Sequence, residues 1–401
     1  MLIDRLIDYA KYDTQSIETS ETCPSTEKQK LLGKHLLEEV KALGIDDVDM
    51  DEYGYVYGFI DGDHSKPTIG LLAHMDTSDA ASGYNVKPRI IENYDGEDIV
   101  LNENLVTSIE RFPKMKKYKG KTLVVTDGNT LLGADDKAGI AIIMEALETI
   151  IKNPDLPHAP IRFAFTPDEE IGRGTDKFNT DLFKVDFAYT LDGDEPNNIE
   201  YENFNGASAE VKLNGISVHP GDAKNKLVSA IKLAMEFDSY LDPDMVPEKT
   251  EGYEGFNHMV SISGEVGNAT IHYIIRNHDY EKLNQQKQSF KDIENKMNEK
   301  YGYKAVEVKV VDAYRNMKEK FENNMYPIDL VHEAMNNLGM NYTAVAIRGG
   351  TDGADLTWKG ILCPNLGTGG GNFHGVHEYW CKEDGEQMVK LVLKLLEISK
   401  K

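Results

Sequence analysis

Four short apolar runs in this chain end in acids or histidine. Ile69 to Ala73 leads into His74-Met75-Asp76, and Leu131 to Ala134 into Asp135-Asp136-Lys137. Phe163 to Pro167 leads into Asp168-Glu169-Glu170, and Tyr189 to Leu191 into Asp192-Gly193-Asp194. In open α/β sheets ligands bind at the carboxyl ends of the strands, so polar residues there are placed for chemistry. One acid after a strand is ordinary, because Asp commonly caps the helix that follows. Several converging on one sheet edge are not. Crowded carboxylates raise one another's pKa, and a cation removes that penalty. Histidine with Asp and Glu, without cysteine, favours zinc, manganese or cobalt over calcium, whose sites rarely use imidazole.

The elements that would position these residues follow from the hydrophobic pattern. Thr26 with Gln29 offers a capping box, and Leu31, Leu32, Leu36, Leu37, Val40 and Leu43 recur at helical spacing until Gly44. Tyr55–Ile60, Thr68–Ala73, Ile161–Thr166 and Phe187–Leu191 read as buried strands, and Lys137–Ile151 as a buried helix. Continuous apolar strands alternating with helices predict an α/β fold: a mixed, largely parallel sheet flanked by helices. The pattern changes near Asn205. Strands at 207–213, 258–276 and about 305–311, with helices at 223–240 and 280–300, predict a smaller inserted α+β unit. Beyond 318 the first pattern resumes, with a helix near 326–338, strands near 342–347 and 361–365, and a closing helix at 383–399. The expected division is a catalytic domain in two parts, 1–206 and 319–401, around a lid or dimerisation domain at 207–318. The stretch from Thr77 to Lys121 is polar with little regular patterning and reads as a surface excursion.

Composition bounds the function. The chain has 401 residues, 40% hydrophobic and 28% charged, with a formal net charge of −24. These are the proportions of a soluble globular protein with room for two or three domains. The acid excess excludes nucleic acid and anionic membrane as partners. Three cysteines, Cys23, Cys363 and Cys381, lack Cys-x-x-Cys spacing and point to a reducing cytoplasm. Residues 1–10 place acids inside an apolar pattern, as in an amphipathic helix rather than a signal peptide, and no run of about 18 apolar residues could span a membrane. His-Glu-x-x-His and Gly-x-Ser-x-Gly are absent. Gly120-Lys121-Thr122 and the run Gly367–Gly371 are incomplete nucleotide-binding signatures.

Taken in order, His74-Met75-Asp76, Gly133-Ala134-Asp135-Asp136-Lys137-Ala138-Gly139, Asp168-Glu169-Glu170-Ile171-Gly172 and Asp192-Gly193 resemble the motifs of di-zinc metallopeptidases of the peptidase T type. So do Glu202 to Ser208, His272 to Arg276, Gly349 to Ala354 and Asn372-Phe373-His374-Gly375. The resemblance covers essentially the whole chain. It implies a cytoplasmic tripeptide aminopeptidase, a hydrolase holding two Zn2+ per subunit and acting on small peptides. By this resemblance Asp135 bridges both ions, His74 and Asp192 complete one, and Glu170 and His374 complete the other. Glu169 is the general base on the metal-bound water, Asp76 orients His74, and the Asp135–Asp136 peptide is cis. The resemblance further implies a homodimer through the inserted domain. His219 then reaches a partner's active site to stabilise the oxyanion, while Arg276 and Arg348 hold the substrate's carboxylate or a backbone carbonyl.

His377, three residues beyond His374, is the rival ligand; in the wider fold family the ligand precedes a Glu by four positions, which selects His374. Asn277, where an Asp commonly follows the arginine, and Asp194, close to Asp192, depart from the usual pattern. Three alternatives stay open. One is a dipeptidase or N-acyl amino acid deacylase on the same di-zinc scaffold. The others are a non-catalytic metal- or peptide-binding protein, against which Glu169 speaks, and an acidic scaffold protein without stoichiometric metal.

Overall fold

The computed structural model describes residues 1–400. It divides into two compact units, one of Met1–Tyr201, Lys320–Val345 and the chain from Thr351 onward, the other of Glu202–Glu319 with Ala346–Gly350. Sequence pattern places the insert at 207–318 and gives no sign of the short 346–350 return. That return is fixed by a long-range bond, from the Phe204 N–H to the Ile347 carbonyl at 3.1 Å, which local periodicity cannot register.

The first unit is built on an eight-stranded sheet. Its order is Val48–Met50, Val56–Ile60, Ile161–Thr166, Ile69–His74, Phe187–Gly193, Asn365–Gly367, Asn198–Asn203 and Thr343–Ile347. Ile161–Thr166, Ile69–His74, Phe187–Gly193 and Asn365–Gly367 run parallel, with antiparallel strands on either side. Every residue of Ile69–His74 is buried, because both faces of a parallel sheet are covered. The helix Ala134–Lys152 packs on this strand and on the helices Leu2–Tyr9 and Lys382–Ile398. Gly139 lets it approach the strand Phe187–Gly193, since a Cβ there would lie 2.0 Å from the Leu191 carbonyl. The parallel core thus delivers His74, Thr166 and Asp192 to one edge.

In the first unit two expectations need correction. The Thr26–Gln29 capping box does not form, because the Gln29 amide points inward and donates to Asp168 at 2.7 Å. The Thr77–Lys121 excursion is not featureless. It holds a hairpin of Ile99–Asn102 and Leu105–Thr107, and its strand Arg89–Ile91 joins Leu123–Val125, Tyr379–Cys381 and Gly370–Gly371 in a second sheet. Tyr94, Ile99, Leu101, Ile109, Met115 and Tyr118 form its core against Tyr379 and Cys381. Strands of three or four residues are too short for alternation to show in the sequence.

The second unit is a four-stranded antiparallel sheet ordered Phe256–Gly264, Asn268–Asn277, Asn205–Asn214, Val306–Tyr314. From Ala207 to Asn214 buried and open residues alternate, as expected when helices cover one face. Ala230–Ser239 and Tyr280–Tyr301 supply that cover, with Leu233, Phe237 and Phe290 packed on Val211, Ile271 and Tyr273. The expected 258–276 strand is a hairpin that turns at 265–267. The expected 223–240 helix starts only at Ala230, because Ile216 and Val228 pair with each other and hold the preceding residues out of a helix. Among the described residues no helix is long and apolar enough to cross a membrane.

Candidate metal centre

The site is assembled from segments far apart in the chain. His74 ends a central strand, and its N–H is held by the Asp136 carboxylate at 3.1 Å. Asp135 and Asp136 open the helix Ala134–Lys152 with non-helical backbone and a cis peptide between them. Glu169 and Glu170 follow Asp168, whose φ of 61° turns the chain back at the strand end. Asp192 lies near the end of Phe187–Gly193, and His374 sits on a loop where Asn372 and His374 also take positive φ.

The side chains converge in two groups that share one residue. His74 Nε2 lies 3.0 Å from Asp135 Oδ1 and 3.4 Å from Asp192 Oδ1. His374 Nε2 lies 3.1 Å from Asp135 Oδ2 and 3.0 Å from Glu170 Oε2. Asp135 therefore offers one oxygen to each group. Glu169 belongs to neither, with Oε2 at 3.9 Å from His74 Nε2. Donor atoms of His74, Asp135 and Glu170 lie close enough to share a cation, as do those of His74, Asp136 and Asp192. The Asp136 carboxylate, however, already accepts the N–H groups of His74 and Gly139, which makes it an anchor.

Asp76 does more than sequence suggests. The His74 Nδ1 is nearer to the Asp76 carbonyl, at 3.0 Å, than to its carboxylate, at 3.4 Å. The carboxylate instead accepts the N–H of Glu169 at 2.9 Å and of Glu170 at 3.2 Å. Asp168, read from sequence only as part of the acid run, is fully buried and anchors the same loop. It accepts the Ser25 N–H at 2.6 Å and the Gln29 amide at 2.7 Å.

The electrostatics are those of crowded carboxylates. Burial, then the Asp192 charge, raises the Glu169 pKa well above the usual range. Burial and Asp135 push Glu170 up to about 7, and burial pushes Asp192 up to about 6. Asp135 is the exception: burial pushes it up, but hydrogen bonds from His374 and His74 outweigh that and hold it low. Those to Asp135 and Glu170 push the His374 imidazole up to about 11. Protons are thus strongly held where only nitrogen and carboxylate oxygen converge, and a divalent cation can replace them. The donor set fits one: imidazole and carboxylate, no sulfur, in the mixture that suits zinc.

The remaining residues singled out by the sequence have partners of their own, those of His219, Arg276 and Arg348 within the second unit. His219 is exposed on a short turn, and its Nδ1 accepts the Gly221 N–H at 3.1 Å. The Arg276 Nη1 donates to the carbonyls of Ala207 and Ile275, both at 3.0 Å, and its guanidinium lies over Tyr314. Arg348 donates to the carbonyls of Gly252 and Glu254, both at 2.8 Å, and to Thr250 Oγ1 at 3.0 Å. His377 bonds Thr107 Oγ1 through Nδ1 at 2.9 Å and packs on Phe112. Asp194 accepts the Glu195 N–H and the Asn198 amide, and the Asn277 amide donates to Gln286.

The model of peptidase family M20/M25/M40 matches residues 118–398. A peptidase T of Halothermothrix orenii is 48% identical over 401 residues, 99% of this chain and 98% of that protein. One from Bacillus licheniformis is 49% identical over 403 residues, 100% of this chain and 98% of that protein. The crystal structure of a tripeptidase from Staphylococcus aureus is similar with a TM-score of 0.79 at 25% identity, covering 99% of this chain and 97% of that one.

Proposed function

The chain belongs to peptidase family M20/M25/M40, and from that membership we propose a metallo-aminopeptidase that removes the N-terminal residue from tripeptides. The observation that carries the chemistry is the division of the Asp135 carboxylate, one oxygen toward His74 and Asp192 and the other toward His374 and Glu170. Full-length similarity to peptidase T enzymes and to a tripeptidase structure supports the substrate class.

His74, Asp135 and Asp192 would hold one divalent cation, and Asp135, Glu170 and His374 a second, both assigned as zinc. When bound, such a pair acidifies water and polarises the scissile carbonyl. The chain's own residues do the rest. Asp76 fixes the backbone of Glu169, so the base is aimed by the hydrogen bond that its N–H donates to a carboxylate two residues from His74. The raised pKa of Glu169 suits a group that takes a proton from the attacking water and returns it to the leaving amine. The water oxygen bonds to the carbonyl carbon, the C–N bond breaks, and the proton passes through Glu169 to nitrogen.

The second unit is assigned to assembly and substrate contact. Its edge strand Phe256–Gly264 is long and exposes Val260 and Ile262, each about half open to solvent at 50% and 53%. An edge of this kind favours pairing with a second copy. That supports a homodimer through this unit, in which His219 serves a partner's site. Arg276 is assigned to the substrate; Arg348 contributes through the 250–254 loop whose carbonyls it holds. A reducing cytoplasm suits the three free cysteines.

Trialanine assayed against dialanine, tetra-alanine and an N-acetyl amino acid tests the substrate class. Trialanine is expected to be cleaved with the highest kcat/KM. Preferred cleavage of the acetyl compound would overturn the aminopeptidase assignment, and preferred cleavage of dialanine would replace it with a dipeptidase.

A further inference from the structure

Glu378 is a buried carboxylate, 2% exposed, that stands outside both donor groups. Its Oε2 accepts the N–H of Leu132 at 2.7 Å and of Gly133 at 2.8 Å, and its Oε1 accepts the N–H of Asp135 at 3.0 Å. These amides belong to the turn before the regular part of the helix Ala134–Lys152, whose backbone is non-helical at Asp135 and Asp136 and whose first regular turn is capped by Asp136, which accepts the Gly139 N–H at 3.1 Å. Backbone N–H groups outside regular structure need an acceptor when they are buried. The acceptor for this turn therefore comes from more than two hundred residues along the chain.

Glutamate is suited to the task by its valence. A carboxylate only accepts, so both oxygens can face N–H groups at once. The amide of glutamine would turn its NH2 toward one of those donors. The buried Lys137, on the first turn of the same helix, supplies a countercharge and donates to the Tyr12 carbonyl at 2.7 Å.

The consequence is mechanical. Glu378 closes the loop that carries His374, and Asn372 closes the same loop by donating to the His377 carbonyl at 3.2 Å. One carboxylate therefore ties the His374 loop to the Asp135 backbone. The other ligands have separate supports. His74 and Asp192 lie on paired central strands, and Glu170 is held through its N–H by Asp76. His374 is on an exposed loop, its side chain 49% open.

We propose that Glu378 is a positioning residue that holds the Asp135 and His374 loops in one frame, and so sets the affinity of the cation shared by Asp135, Glu170 and His374. The cation of His74, Asp135 and Asp192 depends on it less. This rests on the two-cation reading above.

Metal-free wild type and Glu378→Gln are titrated with Zn2+ against a chromophoric chelator, with circular dichroism as a check on folding. Wild type is expected to take two equivalents. The variant is expected to keep one within about threefold and to weaken the other by about 10–100-fold, the usual effect of losing an outer partner. Two unchanged affinities, or two weakened in parallel, overturn the proposal and leave the two-cation reading standing. Fewer than two equivalents in wild type overturns both. Should Glu378→Gln fail to fold, Glu378→Asp, which keeps the charge but shortens the reach, is expected to show the same one-sided loss.

Discussion

Each unit buries a cluster of polar side chains, and the two clusters differ in kind. In the second unit the cluster is made of amides. Asn205 donates to the His278 carbonyl at 2.8 Å and accepts the Asn316 N–H at 2.9 Å. Asn203 accepts the Met317 N–H at 2.8 Å, and Gln286 joins Asn277 to Asn257 with bonds of 2.9 Å. An amide both donates and accepts, so such a cluster closes on itself without charge. In the first unit the cluster is made of carboxylates and imidazoles. Carboxylates only accept, and here burial and neighbouring acids raise the pKa values of Glu169, Glu170 and Asp192. A buried polar cluster that satisfies itself is architecture; one that cannot points to a ligand.

The contrast can be broken in several places. The largest effect is expected at Glu169. Glu169→Gln should lower turnover by roughly 10³-fold with metal content unchanged, within the range for a lost general base. Turnover within tenfold of wild type would contradict that role. Asp135→Asn keeps the shape but removes the charge common to both donor groups. It should weaken both cations by more than the roughly 10–100-fold typical of an outer partner; retention of either at wild-type affinity, measured by zinc titration, would deny the shared role. Asn205→Ala sharpens the comparison from the other side. It should destabilise the chain by about 1–3 kcal/mol, since it leaves buried partners unpaired, yet leave zinc stoichiometry as in wild type.

The smallest effect concerns Glu200, buried opposite Asn365 and pushed up to about 8 by burial and by the charges of Asp194 and Asp192. Its folded pKa lies above the unfolded value of about 4.3. The folded state therefore binds the extra proton between those values. The stability this contributes is complete below about pH 4.3 and is lost as pH rises through about 8. Glu200→Gln should melt higher than wild type at pH 8.5 and no higher at pH 5. A melting difference independent of pH would show that the glutamate is not held protonated.

Part of this was legible in the sequence, for a physical reason. His74, Asp135, Glu169, Glu170 and Asp192 stand directly after buried strands or before a buried helix, where short-range patterning marks the boundary. His374 has no such mark, because it sits on a loop after a glycine run, and only the family resemblance selected it. The anchoring roles of three other acids carry no mark in the sequence. Asp168 meets Gln29, Asp136 meets His74 and Glu378 meets Gly133 across long separations that no local pattern reports. The 77–121 region failed for the opposite reason, its strands being too short to show a period. In the second unit the sheet was legible in outline, but the 265–267 turn and the late start of the helix at Ala230 depend on pairing rather than propensity.

The most direct test of the central claim is elemental analysis of the purified chain after exposure to Zn2+ and removal of the unbound ion. The divided Asp135 carboxylate predicts two zinc ions per chain. A chain that keeps none, with folding verified, would contradict the account, because the crowded acids would then be tolerated without a cation.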